Sequence, residues 1–387
     1  METEKKPLRV MSLMGTRPEA IKLAPVHMAF ATRPHEFEPV LCVTGQHRQM
    51  LDQVMADFGL AADHDLNLMV EDQGLADLSA RVLQSVTTLL RSVFPDVLLV
   101  QGDTTSAAMG ALAAFYERIP VGHVEAGLRT GDRYNPFPEE INRRLITDVA
   151  TWHYAPTKGA VEALAREGVP ASSVVLTGNT VVDALLYISN QVGKAQPTEG
   201  RSILVTAHRR ESFGPDFESI CLALRDLVRR NRDVRIVYPV HLNPNVREPV
   251  ERILNGEERV QLIEPVGYRA LVGLMKESYL ILTDSGGIQE EAPVLGKPVL
   301  VLRKVTERPD AVAAGTAKVV GTDRDVIVRE AELLLNDRAE YERMARSVSP
   351  YGDGHAAERI ADHLASVAGE AAPDSTARAS ARVSLEH

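Results

Sequence analysis

Two series of short apolar segments, separated by longer amphipathic segments, constrain the fold of this 387-residue chain more than any other feature. Each series has six strand-like segments; the first begins with Leu8–Leu13 and the second with Ser202–Val205. The intervening segments, such as Leu75–Phe94 and Phe217–Asn231, have the spacing of amphipathic helices. Nearly continuous apolar strands that alternate with helices are typical of parallel sheets covered by helices on both faces. The pattern therefore predicts an α/β protein with two Rossmann-like, doubly wound parallel sheets.

The break between the two series predicts the domain organisation. It lies near Thr177-Gly178-Asn179, so we expect an N-terminal domain over residues 1–177 and a C-terminal domain over residues 178–353. Two such domains are expected to face a cleft. Residues 370–387 are small and polar, with many Ala and Ser residues, and predict a disordered tail.

Composition excludes several classes of protein. The net charge of −10 and the 5% aromatic content disfavour a protein that binds nucleic acid or an anionic membrane. Two cysteines are too few for a disulfide scaffold or a Cys-rich zinc module, and no cluster predicts a metal site. There is no apolar run of 18 residues and no signal-like N-terminal segment, so we expect a cytoplasmic protein.

The first strand is followed by a segment that could bind an anion. Open α/β sheets bind ligands beyond the carboxyl ends of their strands. Arg17 and Lys22 bring two cations to the start of a helix, where backbone N–H groups also favour anions. Thr16 and Glu19 have capping-box spacing, so an ordinary strand-to-helix turn is the alternative interpretation.

Three carboxylates follow later strands of the first series. They are Asp103, Glu125 and Glu139, and each has a structural alternative: Asp103 as a helix N-cap, Glu125 as the partner of a nearby arginine, and Glu139 as an i,i+4 ion pair with Arg143. Gly127, close to Glu125, would let a ligand approach. Because all three carboxylates fall at one edge of the predicted sheet, they indicate acid–base chemistry.

The second series has the features of a domain that binds a nucleoside diphosphate. His208 follows its first strand and could bind a phosphate, transfer a proton or be purely structural. Ser285-Gly286-Gly287 opens a helix whose N–H groups could hold a diphosphate, and Glu291 could bind ribose hydroxyls. Arg308 adds another cation. The dinucleotide and Walker glycine motifs are missing from the sequence, so neither NAD nor ATP is favoured.

Ten segments in this order resemble those of a known family, the non-hydrolysing UDP-N-acetylglucosamine 2-epimerases, over roughly residues 8–365. The segments are GTRPEAIK (15–22), TGQHRQMLDQV (44–54), GDTTS (102–106), GHVEAGLRTGD (122–132), PEEINR (138–143), TGNTVVDALL (177–186), AHRRESFG (207–214), YPVHLNPNV (238–246), TDSGGIQEEAP (283–293) and TERPDAV (306–312).

The resemblance implies a glycosyltransferase-B fold, with a C-terminal helix at about residues 354–369 that returns to the first domain. It implies the reversible conversion of UDP-GlcNAc to UDP-ManNAc by elimination of UDP and its re-addition, without a cofactor. It also implies a homodimer and a supply of ManNAc for surface polysaccharides. The catalytic residues carried over are Asp103, Glu125, Glu139, Arg143 and His208. The UDP-binding residues are Arg17, Lys22, Asp103, Glu125, His208, Ser285, Gly286, Gly287, Glu291 and Arg308.

Some bacterial members of that family bind a second UDP-GlcNAc as an activator. The matching positions in this chain are Gln46, Gln49, Gln73, Glu140 and His241. Acidic residues stand at 71 and 72, where such members have a basic one. Three other functions stay open from the sequence: a glycosyltransferase, a hydrolytic epimerase and a non-enzymatic sensor of UDP-sugars.

Overall fold

The chain forms two compact units in a computed structural model. The structure describes residues 6–45, 48–68, 70, 73–193, 200–346 and 349–367, with residues 48–50 as backbone only. Unit 1 comprises Met1–Ala184 and Gly352–His387, and unit 2 comprises Leu185–Tyr351. The division thus falls inside a helix, Thr180–Val192, rather than at the predicted position before Gly178. The predicted tail, residues 370–387, lies outside the described residues.

Unit 1 contains a parallel sheet of seven strands. They are β1 (Leu8–Met14), β2 (Phe37–Val43), β3 (His64–Asp65), β4 (Val97–Gln101), β5 (Val121–Val124), β6 (Trp152–Ala155) and β7 (Val174–Leu176). The helices are α1 (Arg17–Ala31), α2 (Arg48–Phe58), α3 (Leu75–Val93), α4 (Thr105–Tyr116), α5 (Glu139–Val149) and α6 (Lys158–Arg166), and α7 (Thr180–Val192) begins in this unit. The strand order is β3-β2-β1-β4-β5-β6-β7.

Unit 2 contains a parallel sheet of six strands. They are β8 (Arg201–Thr206), β9 (Val234–Pro239), β10 (Val260–Ile263), β11 (Leu280–Thr283), β12 (Val299–Val301) and β13 (Ala317–Val319). The helices are α8 (Pro215–Arg230), α9 (Pro244–Leu254), α10 (Tyr268–Glu277), α11 (Gly286–Glu291), α12 (Pro309–Ala313), α13 (Arg324–Asn336) and α14 (Arg338–Ala345). The strand order is β10-β9-β8-β11-β12-β13.

Both sheets have the doubly wound order, in which the direction of winding reverses between two neighbouring central strands. These neighbours are β1 and β4 in unit 1, and β8 and β11 in unit 2. The crevice beyond the carboxyl ends of such a pair, the topological switch point, is where open α/β sheets bind ligands. Each unit therefore has one edge at which functional side chains are expected.

The apolar cores follow the predicted periodicity. In α3, Val82, Val86 and Leu90 recur every four residues and are at most 1% exposed, because this stripe packs into the apolar core of unit 1, where α3 contacts α4. Both series of six predicted strands are confirmed; Leu8–Leu13 and Ser202–Val205, for example, are observed as β1 and β8 to within one residue at each end. Prediction missed β3, because two polar residues at the edge of the sheet carry no hydrophobic alternation.

The last helix, α15 (Ala356–Val367), belongs to unit 1 and packs on α1. His363 of α15 lies edge-on against the rings of Trp152 and Tyr154, and its Nδ1 is 3.1 Å from the Tyr154 hydroxyl. Within the described ranges, every helix is too short or too polar to cross a bilayer.

Candidate active site

A buried carboxylate, Glu19, joins the two turns at the switch point of unit 1. Its Oε2 accepts the N–H of Gly15 (3.2 Å) and its Oε1 accepts the hydroxyl of Thr104 (2.9 Å). The Thr16 side chain makes no cap hydrogen bond, so the predicted reciprocal capping box is not formed. Glu19 is 1% exposed, and burial raises its pKa to about 7 despite these hydrogen bonds. The turn after β1 is therefore tied to the turn after β4.

Glu19 should make the stability of unit 1 depend on pH. A raised pKa means that the folded state keeps a proton that the unfolded chain loses near pH 4.5, so the free energy of unfolding falls as pH rises towards 7. Each pKa unit corresponds to about 1.4 kcal/mol. Between pH 5 and pH 8, we expect the wild type to lose about 2.5 kcal/mol relative to Glu19→Gln.

The measurement is urea unfolding followed by fluorescence of Trp152, the single tryptophan, which lies in unit 1. Glu162→Gln, at an exposed glutamate of α6, is the control and should follow the wild type. Parallel pH curves for the wild type and Glu19→Gln would contradict the prediction.

Glu125, which follows β5, is held by three polar side chains. Lys22 forms an ion pair with its Oε1, Asn179 donates to the same oxygen (3.0 Å), and Gln101 donates to Oε2. Among the described contacts of Glu125, the cation is Lys22 rather than the arginine of the alternative interpretation. Lys22 and Glu125 have side chains only 10% and 7% exposed. Lys22, which the resemblance assigns to UDP, therefore also neutralises this carboxylate.

The backbone at Glu125 is strained. Its φ of 64° lies in the left-handed region, which costs a non-glycine residue about 1–2 kcal/mol. Such strain persists where the surroundings over-determine the conformation, often at functional sites. Gly127, by contrast, is required by packing: a Cβ there would lie 2.4 Å from the carbonyl oxygen of Ala160 in α6. The space beside this glycine is therefore occupied by helix α6, and not left open for a ligand as the sequence predicted.

Asp103, after β4, is paired with Arg143 of α5. Arg143 donates to Asp103 Oδ2 from Nε (2.8 Å) and lies 2.6 Å from it through a terminal nitrogen, while Asn142 donates to the Asp103 carbonyl (2.9 Å). The N-cap alternative is wrong, because Thr104 caps α4 by accepting the N–H of Ala107 (3.0 Å). Helix α5 thus fixes Asp103 at the carboxyl edge of the sheet.

Glu139, the first residue of α5, is not the partner of Arg143. Arg143 pairs with Asp103 and Glu140 instead, so the predicted i,i+4 pair is wrong. Glu139 Oε2 is buried and has no hydrogen-bond partner among the described residues. Of the three candidate carboxylates, Glu139 therefore has a buried oxygen whose hydrogen-bonding capacity is not used by the described residues.

The switch point of unit 2 is organised by a buried aspartate. Asp284 Oδ2 accepts the backbone N–H groups of His208 (2.6 Å) and Arg209 (2.7 Å), and Asp284 is 1% exposed. The His208 ring stacks on His241 with centroids 5.3 Å apart. Burial lowers the pKa of His208, and the nearby His241 and Arg209 add to that effect against the opposing charge of Asp284. His208 is therefore neutral at pH 7 and can act as a donor or an acceptor.

The segment after β11 begins α11, as predicted. The Ser285 N–H donates to Thr283 Oγ1 (2.9 Å), so this amide is already engaged, and the predicted phosphate cradle reduces to Gly286 and Gly287. The Arg308 guanidinium lies beside Gly286, with its central carbon 3.6 Å from where a Cβ would stand. Arg308 also forms an ion pair with the buried Glu290. Glu291, at the end of α11, is 6% exposed.

The positions matched to an activator site are only partly described. Gln46 and the side chain of Gln49 lie outside the described residues. Gln73 accepts a hydrogen bond from Arg81, and His241 is exposed and stacked on His208 in unit 2. Glu140 is fully buried, with both carboxylate oxygens hydrogen-bonded inside unit 1. Glu140 therefore accepts hydrogen bonds from backbone and side-chain groups of unit 1 itself.

Sequence reasoning missed the residues that hold the candidate groups. Glu125 is oriented by Gln101 and Asn179, and the His208 segment is oriented by Asp284. Asn179 and Asp284 lie inside sequence motifs noted above, whereas Gln101 does not. A further residue, Arg303, is 5% exposed and links Glu211 (2.6 Å) to Glu307 (3.3 Å) in two loops of unit 2.

Among the described residues, no three His, Cys, Asp or Glu side chains are arranged to hold a metal ion.

Two α/β units with parallel sheets of seven and six strands define a protein of the glycosyltransferase-B fold class. A family model described as UDP-N-acetylglucosamine 2-epimerase matches residues 29–365. The UDP-N-acetylglucosamine 2-epimerase of Escherichia coli K12 is 53% identical over 370 residues, which cover 92% of this chain and 98% of that protein. The chain belongs to the UDP-N-acetylglucosamine 2-epimerase family, as the motifs predict.

Solved structures agree with this assignment. The UDP-GlcNAc 2-epimerase of Neisseria meningitidis, crystallised with UDP-GlcNAc, has a TM-score of 0.86 and 45% identity, and covers 92% of this chain and 99% of its own. The enzyme of Methanocaldococcus jannaschii, in complex with UDP-GlcNAc and UDP, has a TM-score of 0.78 and 31% identity, with the same two coverages. The predicted fold class is therefore confirmed.

Proposed function

We propose that this protein interconverts UDP-N-acetylglucosamine and UDP-N-acetylmannosamine by inverting the configuration at C2. The observation that carries the proposal is the set of acidic groups at one edge of the unit 1 sheet. Asp103 is held by Arg143, Glu125 is held by Lys22, and Glu139 has a buried oxygen without a hydrogen-bond partner among the described residues. The two relatives crystallised with UDP-GlcNAc support the choice of substrate.

We propose an elimination and re-addition that uses these groups. One carboxylate takes the proton from C2 while the bond between C1 and the β-phosphate oxygen breaks, so that UDP leaves and a 2-acetamidoglucal remains. In the second half, the UDP oxygen re-forms its bond to C1 and a second acid delivers a proton to the opposite face of C2. One proton is lost and one is gained, so no oxidant or reductant is consumed. Proton transfer on two faces requires more than one acid–base group, which the three carboxylates supply.

The groups of unit 2 suit a departing diphosphate. Negative charge builds up on the β-phosphate as UDP leaves, and fixed N–H dipoles and cations lower the energy of that charge. The Gly286 and Gly287 amides, the Arg308 guanidinium beside them and neutral His208 are the candidate donors. In unit 1, Arg17, the first residue of α1, is the cation that the resemblance assigns to UDP. Glu291 is proposed to accept hydrogen bonds from the ribose hydroxyls.

The wider role follows from the product. We propose that the ManNAc units feed the synthesis of surface polysaccharides, and that UDP-GlcNAc and UDP-ManNAc are the ligands in the cell. The homodimer, the cytoplasmic location and the activator site stay predictions from the resemblance and the sequence.

The test is to incubate the purified protein with UDP-GlcNAc alone and identify the products by proton NMR. We expect a mixture of UDP-GlcNAc and UDP-ManNAc, and a second incubation that starts from UDP-ManNAc alone should reach the same ratio. Free ManNAc with UDP would instead indicate a hydrolytic epimerase. Turnover only after a sugar acceptor is added would indicate a glycosyltransferase, and binding without turnover would indicate a sensor.

A further inference from the structure

Glu140 is a fully buried carboxylate with hydrogen bonds to both of its oxygens, and it lies beside the candidate catalytic groups. It is 0% exposed and lies on the first turn of α5. Oε1 accepts the N–H of Gly131 (3.1 Å), and Oε2 accepts the N–H of Thr130 (3.1 Å) and an N–H of Arg143 (3.1 Å). Arg144 lies 3.6 Å from Oε1. Every partner is a donor, so the site is built for a carboxylate.

The ionised form of Glu140 is favoured by these partners. Burial alone would raise its pKa, but the Thr130 and Gly131 N–H groups and the Arg143 cation together hold the pKa below its usual value. Glu140 therefore carries a negative charge at pH 7 that faces Arg143.

Arg143 divides its donors between two carboxylates. Its Nη1 faces Glu140, whereas its Nε and Nη2 face Asp103 Oδ2 at 2.8 Å and 2.6 Å. A free arginine side chain has many rotamers, and ordering it costs conformational entropy. An anchor at Nη1 removes that freedom before a substrate binds, and leaves the other edge of the guanidinium aimed at Asp103.

We propose that Glu140 is a positioning residue: it anchors Arg143 and the Thr130–Gly131 turn, so that Arg143 fixes the Asp103 carboxylate for proton transfer. This inference rests on the proposed function, because Asp103 is catalytic only in that account. It assigns to Glu140 a role inside the chain, where the resemblance offered a contact with an activator. The chemistry requires an anion at this position, because a Gln amide would direct N–H groups at a site that presents only donors.

The experiment compares Glu140→Gln with Glu167→Gln. Glu167 is the matched control, since it is also a glutamate of unit 1 in a two-point ion pair, with Arg129 at 2.7 Å and 2.8 Å. We expect Glu140→Gln to lower kcat by about 10-fold or more, while KM and the Kd of UDP stay within about 2-fold. Glu167→Gln should retain the wild-type kcat. Glu140→Asp, which keeps the charge but shortens the reach, should fall between the wild type and Glu140→Gln.

A double-variant cycle separates positioning from a general loss of structure. If Glu140 acts through Arg143 on Asp103, Glu140→Gln should cost little further activity in an Asp103→Asn background. The inference would be overturned if Glu140→Gln lowered kcat by the same factor in the Asp103→Asn background as in the wild type. A wild-type kcat in Glu140→Gln would also overturn it. So would a Glu140→Gln variant in which only the dependence of the rate on substrate concentration changes. If Glu140→Gln does not fold, the same cycle with Glu140→Asp decides. An inactive wild type would instead overturn the proposed function.

Discussion

Asp103→Asn, Glu125→Gln and Glu139→Gln are each expected to lower kcat by about 10²–10⁴-fold, the usual loss for an acid–base group. The reason is that the amide variants keep the shape of the side chain but can no longer take a proton from C2 or return one. UDP binding should weaken far less than kcat falls, because the proton transfer takes place on the sugar. Steady-state kinetics with UDP-GlcNAc, together with calorimetry of UDP, separate the two effects.

Glu291→Ala is expected to show the opposite pattern to the three carboxylate variants. Its proposed contact is to the ribose in the ground state, so it should weaken UDP binding more than it lowers kcat. Near-normal rates in all three carboxylate variants would mean that their arrangement around Arg143 and Lys22 is structural. A loss of UDP affinity equal to the loss of kcat would also contradict their assignment as proton-transfer groups.

Lys22→Met is expected to lower the free energy of unfolding of unit 1 by about 3 kcal/mol, because it leaves the Glu125 carboxylate buried without its cation. The two side chains are only 10% and 7% exposed, so water cannot replace the lost charge. Asn179 and Gln101 still donate hydrogen bonds to Glu125, and this keeps the loss at the lower end of the range for a broken buried pair. Urea unfolding followed by Trp152 fluorescence reports on unit 1.

The matched variant is the double replacement Lys22→Met with Glu125→Gln. With the charge of Glu125 also removed, most of the stability should return, since replacing both members of a buried pair is often close to neutral. An equal loss in the single and double variants would show that Lys22 contributes through packing alone. A stability of Lys22→Met within about 0.5 kcal/mol of the wild type would contradict a buried pair that matters to the fold.

The order of strands and helices could be predicted because it depends on local hydrophobic patterning. Segments such as Val121–Val124 and Trp152–Ala155 are apolar over their whole length and are bounded by polar turns. The two-residue strand β3 lacks that pattern, since it forms only by pairing with β2. The unit boundary inside α7 was also out of reach, because a helix that spans two units has no break in its sequence.

The sequence could predict which residues lie at the candidate site, but not which of them form ion pairs with one another. Asp103, Glu125 and Glu139 all follow strands or begin a helix, so strand-end reasoning found them. Which cation meets which carboxylate depends on side chains from distant parts of the chain: Lys22 and Glu125 are 103 residues apart, and Arg143 and Asp103 are 40 apart. Local spacing instead suggested the pair of Glu139 with Arg143, which the geometry of α5 does not form.

The most direct measurement of the central claim is the fate of the C2 hydrogen. The protein is incubated with UDP-GlcNAc in D₂O, without added nucleotide cofactor or metal, and the sugar nucleotides are followed by proton NMR and mass spectrometry. The account predicts that deuterium enters C2 of UDP-ManNAc during turnover and C2 of the recovered UDP-GlcNAc as the reaction reverses. UDP-ManNAc that retains its original C2 hydrogen would contradict proton transfer to and from solvent-exchanging carboxylates, and with it the elimination mechanism.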